Sequence, residues 1–183
     1  MAISASTLGL DSGTWNIDPL HSSVEFSVRH MVVSKVKGRF NAFSGVVDIN
    51  DDITQSSVTA TIEVGSIDTR DAGRDGHLKS PDFFDVENFP TATFTSTSIV
   101  PDGDDFTIKG NLTIKDVTKE IDLPLEFNGV GPDPYGGIRS GFSASTKISR
   151  KEFNLTWNAL LETGGAVVGD DITIHLEVEL VKA

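Results

Sequence analysis

Ile172-Thr173-Ile174-His175-Leu176-Glu177-Val178-Glu179-Leu180 alternates apolar and polar residues without a break. Successive side chains of an extended chain point to opposite faces, so this order places five aliphatic residues on one side and His175 and the glutamates on the other. A helix would scatter the same residues around its circumference. The segment therefore reads as a strand with one buried face.

The period of two returns along the chain. It sets Val24, Phe26 and Val28 together, then Val58, Ala60, Ile62 and Val64, then Phe106, Ile108, Gly110, Leu112 and Ile114. It continues at Ile121, Leu123, Leu125 and Phe127, and at Ile138, Ser140, Phe142, Ala144, Thr146 and Ile148. Weaker strand signals lie at 14–17, at 38–49, where Phe40 and Phe43 break parity and suggest a bulge, and at 91–100 with Ala92 and Phe94 inward. Residues 50–52, 101–104, 115–116, 132–137 and 169–170 supply turn chemistry between these runs. Connections that short join antiparallel neighbours, because parallel crossovers need a dozen or more residues. The exception is 71–90, whose first part suits a short helix carrying Arg70, Arg74 and His77 on one stripe, although Gly73 and Gly76 each cost up to about 1 kcal/mol there. Pro81 is expected to start a second helical turn bearing Phe83 and Phe84. The fold class is all-β: eight or nine antiparallel strands with one helical excursion, closing as an up-and-down barrel over 14–183. Residues 1–13 read as a flexible N-terminal extension.

With 183 residues, 38% of them hydrophobic, one domain with its own core is expected. The chain has no cysteine, which removes disulfides, thiolate metal sites and a cysteine nucleophile. A formal charge of -12, from 27 acids against 15 bases, repels nucleic acid and anionic bilayers over most of the surface. No segment approaches the ~18 apolar residues of a membrane span. The first thirteen residues hold neither a base nor an apolar run of signal length, so a cytoplasmic location is expected and the sequons at Asn111 and Asn154 carry little weight.

Whether such a barrel is hollow depends on residue size. The inward set mixes Phe26, Phe94, Phe127 and Phe142 with Ala60, Gly110, Ser140 and Ala144. Small residues in mid-strand leave room for a ligand, or they receive large neighbours in a filled core; the pattern admits both. Eleven phenylalanines against one tyrosine and two tryptophans give aromatic surface with few polar handles, which suits contact with hydrocarbon.

Four local sequences, taken together, resemble the YceI-like polyisoprenoid-binding family. Trp15-Asn16-Ile17-Asp18-Pro19-Leu20-His21-Ser22-Ser23-Val24-Glu25-Phe26-Ser27-Val28-Arg29-His30 is similar to its opening strand, and the run from Arg74-Asp75-Gly76-His77 through Asn88-Phe89-Pro90 to its helical signature. Gly110-Asn111-Leu112-Thr113-Ile114-Lys115-Asp116-Val117-Thr118-Lys119 resembles its central hairpin, and Arg150-Lys151-Glu152-Phe153 with Gly169-Asp170 its last third. The resemblance implies an extended, lipocalin-like eight-stranded barrel whose tunnel takes a polyisoprenoid or other long amphiphile, often in a homodimer, and whose relatives are often periplasmic. Two positions depart from the pattern: Asp116 and Asn154 stand where the family usually has glycine, and both residue types accept left-handed dihedrals.

Several residues are of types that could do chemistry. Asp18, His21 and Ser22 or Ser23 are the types of a hydrolytic triad, but groups so close along an entering strand are expected to diverge, so no catalytic residue is assigned. His21, His30, His77 and His175 show no paired metal spacing, and no metal or required cofactor is expected. Arg70, Arg74 and His77 concentrate positive charge that would suit a diphosphate head group; pairing with Asp71, Asp75 and Asp82 as surface bridges is the competing account. The expected function is carriage or storage of a long-chain isoprenoid or similar lipid. Phe26, Phe40, Phe43, Ile62, Val64, Leu78, Phe83, Phe84, Phe94, Leu112, Leu125, Phe127 and Phe142 are expected to line the tunnel, with His21, His30, Arg74 and His77 as a polar cluster. The alternatives are an enzyme acting on a lipid or quinone precursor through the His/Asp groups, and a solid-cored interaction module.

Overall fold

The computed structural model describes residues 3–158 and 167–183. Eleven strands form one closed antiparallel sheet with eight staves. Three staves are interrupted: β1 (Gly13–Ile17) runs on into β2 (Ser23–His30), β3 (Ser34–Phe40) into β4 (Phe43–Ile49), and β5 (Ser57–Glu63) into the short β6 (Ile67–Asp68). The rest are continuous: β7 (Thr91–Asp102), β8 (Asp105–Ile114), β9 (Val117–Pro132), β10 (Ile138–Ser149) and β11 (Val168–Lys182). Each stave pairs with the next in sequence, and β11 closes the circle on both β1, at Trp15↔Lys182, and β2, at Ile174↔Phe26. Closure removes the long free edges that an open sheet would present to another chain.

The parity break at Phe40 and Phe43 is an interruption of the stave, and it is held open by hydrogen bonding. The amide of Asn41 donates to the carbonyl of Ser66 at 3.2 Å, and that of Ala42 to the Ser66 hydroxyl at 3.0 Å. The strand also begins earlier than its apolar pattern shows, at Ser34, because pairing with β2 continues through Arg29↔Lys35 and His30↔Ser34.

One end of the barrel is plugged by the chain's own N-terminus. Within residues 1–13, read from sequence as a flexible extension, Ala5–Leu8 forms a 3-10 turn that buries Ala5, and Leu10 is buried just after it. Ala5 N–H donates to Asp51 at 2.8 Å and Ile53 N–H to Ile3 at 2.9 Å, so the segment is stitched to the β4–β5 loop. Trp15 is fully buried beneath it, its indole N–H donating to the Asp11 carbonyl at 3.0 Å.

At the opposite end lies α1 (Ala72–Lys79), capped by Asp71, whose carboxylate accepts from the Arg74 amide at 2.9 Å. The expected second helical turn after Pro81 does not form. Ser80 is extended, as the residue before proline prefers, and 81–90 continues as turns with Asp85 at φ +50. Arg70 precedes the helix at φ +64, so the expected Arg70, Arg74, His77 stripe loses its first member.

Candidate functional site

The barrel encloses a cavity of about 310 Å3 whose exposed wall is apolar. That lies at the low end of the roughly 300–1,000 Å3 usual for small-molecule sites. It extends from Leu8 and Leu10 under the plug to Leu78, Phe83 and Phe84 beneath α1 and the turns that follow. Alternation decided which residues reach it: Ile172, Ile174, Leu176, Val178 and Leu180 all face inward, while His175 is exposed beside Ser145.

Of the residues expected to line a tunnel, Phe26, Phe40, Phe43, Ile62, Val64, Leu78, Phe83, Phe84, Phe94, Leu112, Leu125 and Phe142 do so. Phe127 does not. The sheet passes directly from the pair Gly141↔Gly129 to Phe142↔Phe127, leaving Asn128 without a partner. Phe127, before this bulge, keeps the parity of Leu125 and stands opposite the cavity-lining Phe142, its ring packed on that of Phe142 with centroids 5.3 Å apart and against the core; beyond the bulge Val130 packs against the same core.

The small inward residues divide into two kinds. Gly110 is a seat for an aromatic ring: a Cβ there would fall 2.4 Å from Cζ of Phe94, and Gly38 receives Phe26 in the same way. Ser140 is buried with its hydroxyl donating to the Gly129 carbonyl at 3.0 Å. Ala60 and Ala144, in contrast, line the cavity. Interdigitation and open space thus both occur in one barrel.

The residues expected to form a polar cluster do not meet. His21 precedes β2 and His30 ends it, and the strand spans about 23 Å at ordinary strand rise. His77 packs edge-on against Trp157 at 4.7 Å and Phe83 at 5.1 Å, with Nε2 2.8 Å from Asp82. Arg74 turns back onto Thr69, its Nε donating to the hydroxyl and its Nη2 to the carbonyl, both at 2.8 Å. Asp75 accepts from the same threonine's N–H and O–H, so the surface bridge expected between Arg74 and the helix acids is replaced by a local clasp.

Asp18 and His21, expected to diverge, are brought together by the tight turn between β1 and β2: Nδ1 lies 2.8 Å from Oδ2. Ser22 is not part of this pair, since its hydroxyl accepts from the Glu179 amide at 2.9 Å. The organiser is Arg139, which reasoning from sequence missed. It contacts Asp18 at 2.6 Å, Asp133 at 3.0 Å and Glu179 at 3.1 Å. Its guanidinium, then His21, hold the Asp18 carboxyl down to about 2. Asp133 is lowered too, first by the Gly137 and Tyr135 amides and then by Arg139. Asp18, His21 and Glu179 approach one another within 4.8 Å, close enough for a cation, but the guanidinium of Arg139 already bridges both carboxylates. The cluster lies on the outer face, in a shallow groove, and none of its members lines the cavity.

A second arginine faces inward. Arg150 is buried, its Nε donating to Gly169 at 2.7 Å, Nη1 to Leu155 and to Trp157 at 2.9 Å, and Nη2 to Val168 at 3.3 Å, with Asp170 at 3.6 Å. Four hydrogen bonds to backbone carbonyls and the ion pair with Asp170 hold the guanidinium, so Arg150 knots 150–158 to the start of β11. Burial lowers its pKa. The inward parity of Ile138 through Ile148, extended by one more step, lands on Arg150; that signal was legible.

A sequence profile of the YceI-like domain matches residues 15–180. The chain belongs to the YceI-like family. A UPF0312 protein of Staphylococcus aureus strain USA300 is 40% identical over 168 residues, covering 90% of this chain and 95% of the relative. Among solved structures, BcnA of Burkholderia cenocepacia superposes with a TM-score of 0.78 at 27% identity, over 89% of this chain and 98% of that one. The YceI protein of Campylobacter jejuni gives 0.71 at 32%, over 85% and 90%. A polyisoprenoid-binding domain from Saccharophagus degradans shares the fold, TM-score 0.71, at 15% identity over 92% of this chain and 98% of that one. At the two positions where this YceI-like chain departs from the expected glycines, the backbone answers differently. Asn154 takes φ +60 as anticipated, whereas in the β8–β9 turn the left-handed residue is Lys115 at φ +57, not Asp116.

Proposed function

We propose that this protein binds a long-chain amphiphile, of the polyisoprenoid class, with its hydrocarbon in the barrel cavity, and that it carries or stores this molecule without transforming it. The observation that carries the reading is the apolar cavity running from the plug to the lid, about 310 Å3 with no polar wall exposed. Such a lining offers dispersion and hydrophobic burial, worth roughly 0.8 kcal/mol per buried CH2, and little to fix a polar substrate. The family assignment and the shared fold of the Saccharophagus degradans domain support it. The acid–base pair Asp18 and His21 lies outside the wall, which favours binding over turnover of a molecule held within.

Organic extraction of the purified protein after native mass spectrometry tests the reading. A retained prenyl lipid is the expected result, with affinity rising with prenyl chain length until the cavity is full. A flat length series, or a protein that takes up no hydrocarbon, overturns it. The polar end of the ligand is assigned to the lid end, where Arg74 and His77 lie; if Arg74→Ala leaves the preference between prenyl diphosphate and prenol unchanged, that assignment fails. Turnover of an added isoprenoid, abolished by His21→Ala, would replace carriage with catalysis. The homodimer that the resemblance implies is read from sedimentation equilibrium.

A further inference from the structure

The β2–β3 hairpin combines three features that neither the fold nor the cavity requires. Its turn exposes Met31, Val32 and Val33 at 44%, 63% and 84%. Met31 and Val32 both adopt left-handed backbone, at φ +52 and +66, where Asn-Gly is the favoured pair and a β-branched residue is strained. The chain holds apolar side chains at this tip against the local preference of its backbone. Behind the tip, the outer face of the hairpin carries Arg29, Lys35, Lys37 and Arg39, all exposed. Between Glu25 and Asp48 the sequence has no acid, in a protein whose formal charge is -12. Arg29, Lys35 and Lys37 form no ion pair with a described residue.

The hairpin stands at the lid end. Val28 lines the cavity three residues before Met31, and the Met31 amide donates to Val167 at 2.8 Å, next to the cavity-lining Val168. We infer that this hairpin tip is a membrane-docking element: Met31, Val32 and Val33 enter the headgroup layer of an anionic bilayer while the cations on its flanks meet the lipid phosphates. The occupant follows from the arrangement. A soluble polyanion would use the cations and leave three apolar side chains in water, whereas a bilayer surface satisfies both at once. The acidic remainder of the protein is repelled by the same surface, so the approach has one orientation, with the lid end of the barrel toward the membrane. The inference rests on the proposed carriage of lipid, whose cargo resides in membranes, but it is tested separately.

Flotation of delipidated protein with vesicles free of isoprenoid supplies the test. The wild type should float with vesicles of equal parts phosphatidylglycerol and phosphatidylcholine at low salt, and lose most of that binding with pure phosphatidylcholine or at high salt. Lys35→Glu/Lys37→Glu and Met31→Asn/Val32→Gly/Val33→Ser should each weaken it by about tenfold or more. The second variant installs residues that the turn dihedrals favour, so its loss cannot be charged to unfolding. Failure of the wild type to float, variants that float as well as it does, or capture by heparin without capture by vesicles would each overturn docking. A protein that retains prenyl lipid but does not float loses the docking surface and keeps its cargo; one that floats but takes up no lipid does the reverse.

Discussion

The two ends of the barrel are closed by different means. At the plugged end the N-terminal turn is hydrogen-bonded into the β4–β5 loop, and Ala5, Leu10, Trp15 and Leu180 are almost entirely removed from water. At the lid end α1 contributes no buried residue, and closure rests on Leu78, Phe83 and Phe84. Local opening costs least where few side chains are buried and backbone bonds are exposed. The difference bears on the entry of the proposed ligand: the end covered by a helix with no buried residue can part without unfolding the sheet.

The largest test of that contrast is Trp15→Ala, expected to cost about 3–5 kcal/mol in urea unfolding because a fully buried indole leaves a void that the closed staves cannot collapse to fill. Arg150→Met follows at about 3 kcal/mol, since it strands carbonyls at Leu155, Trp157, Val168 and Gly169. It should loosen the lid end alone, seen as faster hydrogen exchange at 150–158 with the plug unchanged. Phe84→Ala, on a half-buried side chain, should cost only about 1 kcal/mol while lowering retention of a long prenol. If it cost as much as Trp15→Ala, the distinction between the ends would disappear. The smallest effect is the acid response of the plugged end. Asp18 has its carboxyl lowered from 3.8 to about 2, so its ionised form stabilises the fold above about pH 4, and that contribution fades as the pH falls toward 2. In Arg139→Gln the Tm should decline less steeply over this window, because Asp18 then titrates nearer its ordinary value.

Much of the wall was legible because strand parity is a local rule. The lining followed from counting in twos; Phe127 keeps that parity but stands off the cavity, because its ring packs on Phe142 and the core, a contact set by which strands are paired. The polar residues were less legible. The stripe of Arg70, Arg74 and His77 assumed a helix reaching Arg70, and the helix begins two residues later with Asp71 as its cap. Arg139 gave no signal, since two of its partners, Asp18 and Glu179, are distant in sequence and reach it only where β1, β10 and β11 meet.

By itself, the order of residues determined that this chain is a closed antiparallel sheet with one greasy face, because alternation fixes side-chain direction wherever the backbone is extended. Only the tertiary structure decided how much of the interior stays open. Whether a small residue is a gap or a seat depends on which neighbour reaches it across the sheet, as Phe94 reaches Gly110 while Ala60 and Ala144 remain uncovered. The plug was decided in the same way: its 3-10 turn is a single short local element, and it is the ring of Trp15, Ile49, Ile53 and Leu180 beneath that gives Ala5 and Leu10 somewhere to go.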